Sequence, residues 1–372
     1  MFKNLAEDLH NAKRPLFLVG GGAGDVSNLP FDLEYPCVVT WNALDKVTPD
    51  MDCYAGVVGT YGGPGRNFAV QACDLLVAVG CRISGRITGG MPENFAPRAK
   101  KYIIDADQAV LDSVDFDVKI RMDSGLFWAK FAEIPQKTPE AWLQKCKEWV
   151  IKYDPVKEEM FEGFHHYGFM RKISEVIPSN AIIVYDTGGS AIMMGHAFKP
   201  KRGQKIFSSN GNSPMGFAMC GAMGAWFADK TRPIVCFIGD GGFNMNLQEL
   251  QTIVNYGINI KVFILNNHCY GNTKLFQKYN FDSRFYACGP DGYNPPDFFE
   301  IAKAYKVAPF VIKGWDDLAP WMVESLKSDE AVIFDVIHHD FYEYLPRINR
   351  FDQDLCDQDP PLPREEMEAN LG

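Results

Sequence analysis

Asp240 and Asn267 are the residues whose types and setting point most directly to chemistry. Asp240 stands in Gly239-Asp240-Gly241-Gly242, immediately after the apolar run Pro233 to Ile238. Asn267 follows a second apolar run, Lys261 to Leu265, as the latter half of an Asn266-Asn267 pair. Between the two, Leu247, Leu250, Ile253 and Val254 fall at helical spacing. The stretch therefore reads as strand, helix, strand. In a parallel sheet both strand ends emerge on one edge, where open α/β folds bind ligands. One charged and one neutral oxygen suit Mg2+ carrying a diphosphate. The glycines let backbone approach a phosphate closely, and the helix that follows offers unpaired N–H groups to it. A plain βαβ unit whose glycines only make a turn would explain Gly-Asp-Gly. It would not explain a paired asparagine one helix and one strand later.

The elements around this stretch point to two doubly wound α/β domains with parallel sheets. Residues 1 to 13 read as a short helix. RPLFLVGGGAGD, CVVTWNAL, DLLVAVGCRI and KKYIIDAD are apolar strands ending in Gly, Thr or Asp, with RNFAVQAC a helix among them. They form a first domain over 1–132. Residues 133–154, with Trp142, Trp149 and several lysines, read as a linker helix. A second domain over 155–345 opens with the helix YGFMRKISEVIP and the strand AIIVYDTGG, and closes with APFVI and AVIFDVI. Residues 346–372, rich in proline and charge, read as a surface tail.

Composition removes several function classes. The chain has 372 residues, enough for two cores. Its 37 basic and 47 acidic residues give a net charge of −10, with no long basic run, which argues against nucleic acid and anionic membrane as partners. The ten cysteines show no Cys-x-x-Cys and point to reduced thiols in a cytoplasmic protein. The N-terminal MFKNLAEDLHNAKRP lacks the apolar core of a signal peptide.

The Gly-Asp-Gly and Asn-Asn pair at this spacing resembles the signature of thiamine-diphosphate (ThDP) enzymes. FNMNLQELQT resembles the acetolactate synthase branch of that family. The resemblance implies Mg2+ held by Asp240, Asn267 and the backbone carbonyl of Cys269. It implies ThDP held by Gly188, Gly189, Ser190, Gly239, Gly241, Gly242, Asn267, Gly271 and Asn272. Met215 stands where the family bends the cofactor under a bulky residue, the alternative being plain core. Tyr270 and Thr273 would line the floor near the reactive carbon. Relatives usually carry Gln and His where this chain has Gly189 and Ser190. His268 is a candidate beside the substrate or a solvated loop residue. Phe276 stands in place of a Trp that shapes the acceptor site, which leaves room for a larger acceptor. The pairs His165-His166 and His338-His339 are expected at element ends.

In the first domain, Gly21, Gly22, Arg82 and Arg86 match positions that hold FAD in acetolactate synthases. The alternative is a domain that kept the fold and lost the flavin. Residues 14 to 132 resemble the family's central domain, and 155 to 345 its diphosphate-binding domain. The family's pyrimidine-binding domain, which carries the activating glutamate, has no counterpart in these residues. The expectation is therefore a split enzyme. A small second subunit would supply that glutamate, in a heterotetramer with two of each chain. Its reaction would be cleavage or carboligation of a 2-keto acid or related ketone. Simple decarboxylation, and a non-catalytic ThDP- or nucleotide-binding regulatory relic, are the alternatives.

Overall fold

Most of the apolar runs become strands buried on both faces, as parallel strands covered by helices must be, while the run Ala308–Ile312 is half-buried along most of its length. The computed structural model describes residues 2–26, 29, 31–318, 320–338, 342–349 and 353–372. His339 lies outside the described residues. The chain divides into two units. One comprises Met1–Pro155, Pro200–Arg202 and Leu345–Gly372; the other comprises Val156–Lys199 and Gly203–Tyr344.

The first unit holds β1 (Pro15–Val19), β2 (Cys37–Val39), β3 (Tyr54–Val57), β4 (Leu75–Val79), β5 (Lys100–Asp105) and β6 (Val118–Arg121). All pair in parallel, in the order β3-β2-β1-β4-β5-β6. The winding reverses between β1 and β4, so the loops after these strands flank a switch point. There the two loops meet backbone to backbone. Gly22 N–H donates to the Gly80 carbonyl at 2.9 Å, and a Cβ on Gly80, at φ +56°, would lie 2.1 Å from the Gly22 carbonyl carbon. Only glycine fits such an approach.

Two expectations for this unit change. The segment read as a linker helix contains a helix, Glu140–Lys152, whose Trp142, Cys146 and Trp149 are buried in the first unit's core. Its apolar side chains recur at helical spacing and cover the sheet, so it is a core element. The segment read as a surface tail buries Ile348, Leu355, Cys356 and Met367 in the same core and ends in the helix Arg364–Leu371. Its prolines and charges obscured those four widely spaced anchors.

The second unit holds β7 (Ile182–Tyr185), β8 (Lys205–Phe207), β9 (Ile234–Gly239), β10 (Ile260–Asn266), β11 (Ala308–Ile312) and β12 (Val332–Ile337). The order is β11-β12-β10-β9-β7-β8, again all parallel. Its switch point lies between β7 and β9. The central strand β10 is buried along its whole length despite Lys261. The Lys261 ammonium is satisfied by the carbonyls of Ser328 at 2.8 Å and Glu330 at 2.5 Å, and by the Asn259 side chain. Behind the sheet, the helix Phe217–Ala228 is apolar all round, yet leaves Cys220, Phe227 and Ala228 exposed. A helix of that composition is normally covered. Among the described residues no helix is long and apolar enough to cross a membrane.

Candidate active site

Strand register brings the two halves of the motif level. Gly239 on β9 pairs with Leu265 on β10, so Asp240 and the Asn266-Asn267 pair leave the sheet side by side. On the other side of β9, the Asp186 N–H donates to the Phe237 carbonyl at 2.9 Å. This sets the turn after β7 beside the same edge. The result is a cleft of about 290 Å3 at the switch point.

Its wall gathers Gly188, Gly189, Ser190, Met215, Gly239, Asp240, Gly241, Gly242, Asn267, Cys269, Gly271 and Asn272 from four separate stretches. Tyr270 and Thr273 also line it. His268 and Phe276 do not. His268 is exposed in a left-handed turn at φ +54°, and Phe276 is 57% exposed on the helix Gly271–Asn280. His165 caps the helix His166–Val176, its Nδ1 accepting from the Tyr167 N–H at 3.0 Å, and His338 directly follows β12. None of the three lines the cleft.

Each wall residue is fixed by local packing. A Cβ on Gly242 would lie 2.6 Å from Asp186 Oδ2, so the helix after β9 can start only on glycine at that point. Asn266 is committed to the fold, donating to Asp335 Oδ1 at 3.0 Å and accepting from the His268 N–H at 3.2 Å. Among the described residues, Asn267 Oδ1 accepts a long 3.3 Å bond from the Cys269 N–H and retains a lone pair for a cation. Met215 is 39% exposed, its Cε lying 3.2 Å from where a Gly241 Cβ would be.

The electrostatics ask for a cation. The Asp240 carboxyl is 3% exposed, and its Oδ2 is buried with no hydrogen bond from the described residues. Burial raises its pKa to about 7, against the lowering pull of the Gly241 N–H and the Tyr293 hydroxyl. An orphaned buried carboxylate oxygen is costly unless a cation or proton meets it. Among the described residues no three His, Cys, Asp or Glu gather as a metal cluster. The available donors are a carboxylate, an amide and a backbone carbonyl, a hard-oxygen set that fits Mg2+. Among the described residues no lysine or arginine lines the cleft. A diphosphate bound there would depend on the metal and on helix N-termini for charge compensation. The Ser190 hydroxyl, also buried and without a partner among the described residues, fits a phosphate acceptor.

Asp186 is the brace of this wall. Its Oδ1 accepts from the Thr187 N–H at 2.7 Å and its Oδ2 from the Gly216 N–H at 2.8 Å. It thereby ties the loop that carries Met215 to the end of β7. Burial raises its pKa from 3.8 to about 6, and the two N–H bonds only partly offset that. The folded chain thus holds this proton more tightly than the unfolded chain. The stabilisation is complete below about pH 4 and lost as pH rises through about 6. In urea melts, the stability of wild type relative to Asp186→Asn should fall by about 2–3 kcal/mol between pH 4 and pH 7. A difference that does not change with pH would remove Asp186 from this role.

The four residues named for FAD lie about the first unit's switch point. Gly21 and Gly22 are in the loop after β1, while Arg82 and Arg86 are exposed after β4. The Arg86 guanidinium lies 6.0 Å from the Trp41 ring centre.

Comparison with known proteins decides the family. Residues 2–131 match the profile "Thiamine pyrophosphate enzyme, central domain", and residues 186–336 match "Thiamine pyrophosphate enzyme, C-terminal TPP binding domain". The chain belongs to the thiamine pyrophosphate enzymes. Within that family it is similar to the acetolactate synthase large subunit of Parasynechococcus marenigrum, 34% identical over 88% of this chain and 54% of the relative. It is also similar to a probable acetolactate synthase large subunit of Methanocaldococcus jannaschii, 30% identical over 90% of this chain and 59% of the relative. The isozyme 2 large subunit of Escherichia coli is 28% identical over 88% of this chain and 60% of the relative. The chain thus spans little more than half the length of these relatives.

Sequence reasoning missed Met193 and Tyr344 in the cleft wall of this thiamine pyrophosphate enzyme, and Tyr293 behind Asp240. Tyr293, from a loop beyond the motif helix, supports Asp240, and Tyr344, from the segment after β12, lines the wall. Neither belongs to a spaced motif. Their positions depend on how distant loops return to the sheet edge.

Proposed function

We propose that this chain is the ThDP- and Mg2+-binding part of an acetolactate synthase-like enzyme, which makes or breaks the C–C bond beside the carbonyl of a 2-keto acid or related ketone. The observation that carries the reading is Asp240, a buried carboxylate whose Oδ2 has no partner, in a switch-point cleft lined by no cationic side chain, both among the described residues. Asp240, Asn267 and the Cys269 carbonyl would hold Mg2+. The glycine turns and Ser190 would hold the diphosphate, and Met215 would support the cofactor from below. When bound, ThDP supplies the nucleophilic thiazolium carbon that attacks the carbonyl. This chain's residues bind and orient it and exclude water from one side.

The reading includes a second polypeptide that carries the pyrimidine-binding domain and its glutamate, two copies of each chain forming the assembly. The uncovered apolar face of the helix Phe217–Ala228 and the exposed Met215 and Phe276 support a protein partner. A cytoplasmic setting suits the ten free thiols, nine of them buried. FAD in the first unit is a subsidiary proposal, supported by the exposed Arg82 and Arg86.

Calorimetric titration with ThDP tests the central reading: binding should appear with Mg2+ and be absent with chelator. No binding in either condition would overturn it. A colourless preparation that gives no response to added FAD would overturn the flavin proposal.

A further inference from the structure

Tyr344 is held with unusual care for a residue beyond the last strand. Its backbone sits at φ +53°, a conformation that an aromatic residue adopts only under constraint from its surroundings. The constraints come from the two residues before it. Glu343 is bonded to the helix Gly271–Asn280 through the Lys278 ammonium and through the Tyr279 hydroxyl, the latter at 2.6 Å. Tyr342 packs edge-on against His165 at 4.4 Å and His166 at 4.2 Å. Tyr344 itself is 3% exposed and lines the cleft.

Its hydroxyl reaches into a particular place. A Cβ on Gly189 would lie 2.2 Å from Tyr344 Oη, so residue 189 is glycine to admit the phenol. A Cβ on Gly271 would lie 3.0 Å from both Tyr344 Oη and Asn267 Nδ2, which puts the phenol beside the amide of the inferred metal ligand. Gly189 and Gly271 each begin a helix, of eight and ten residues. The phenol therefore stands between two helix N-termini, and Ser190, whose buried hydroxyl has no partner among the described residues, directly follows Gly189 in the chain.

We propose that Tyr344 is a ligand of the diphosphate: its hydroxyl donates a hydrogen bond to a phosphate oxygen of the anion that the cleft takes. The inference rests on the cofactor reading above and adds to it a binding residue from outside the motif. A phenol suits this position chemically. Among the described residues the wall offers a phosphate only neutral donors, and a hydrogen bond to a charged acceptor is stronger than one between neutral groups. The ring, fixed by its packing, presents the donor with little further loss of freedom.

The experiment compares wild type with Tyr344→Phe and Tyr344→Leu by calorimetry, using Mg2+-ThDP and Mg2+-pyrophosphate as probes, with melting curves of the unliganded proteins. The expected result for Tyr344→Phe is a loss of about 10- to 100-fold in affinity for both probes, with the unliganded protein still folded. Tyr344→Leu should lose as much affinity as Tyr344→Phe, since both lack the hydroxyl. Tyr344→Phe binding as wild type does would overturn the proposal and leave the cofactor reading standing. A wild type that takes up neither probe would overturn the cofactor reading and this inference with it.

Discussion

Asp240→Asn is expected to lower Mg2+-dependent ThDP affinity by at least about 100-fold. Asp240 is the only charged side chain in the inferred metal set, and its Oδ2 is buried without a partner from the described residues. An amide of the same shape keeps the packing but removes the charge that a divalent cation requires. The effect on the unliganded protein has the opposite sign. Burial raises the Asp240 pKa to about 7, so above that pH the empty site carries an uncompensated carboxylate. Asn relieves it, and the unliganded variant should melt no lower than wild type at pH 8. Loss of binding with stability retained separates a metal ligand from a structural residue. Equal affinity in calorimetry with Mg2+ would remove the metal assignment.

Turnover of 2-keto acids should be at least about 100-fold lower for these 372 residues alone than for a mixture with a chain carrying a pyrimidine-binding domain. Among the described residues, the two buried carboxyls of the cleft already have tasks. Asp186 braces the Met215 loop through two N–H bonds, and Asp240 faces the metal position. Neither is available as the activating glutamate that the family resemblance assigns to the pyrimidine-binding domain. Mixing should restore turnover, and changing the partner's activating Glu to Gln should remove it again while leaving ThDP binding intact. Full activity without a second chain would defeat the split-enzyme proposal.

The sequence made the site's frame legible for a physical reason. Strands buried on both faces must be continuous apolar runs, and the glycine turn or asparagine that ends each one marks a sheet edge. Asp240 and Asn267 could thus be placed together before any coordinates, because β9 and β10 are nearly equal in length and paired level. Short strands were harder. Val118–Arg121 carries Lys119 and Arg121, so no apolar run announces it. Trp142 and Trp149 were visible, but nothing local showed that they face a sheet. Tyr344 was illegible for a further reason: its partners, Gly189 and Gly271, lie far away in sequence and have no side chains to form a pattern.

The return of Leu345–Gly372 to the first unit bears on how the molecule is made. During synthesis the second unit, nearly continuous in sequence, can close while the ribosome still holds the C-terminus. The first unit cannot complete its core, because Ile348, Leu355, Cys356 and Met367 are the last of its anchors to emerge. The unit that is started first is finished last, and a nascent chain released early would carry a folded cofactor cleft beside an open sheet.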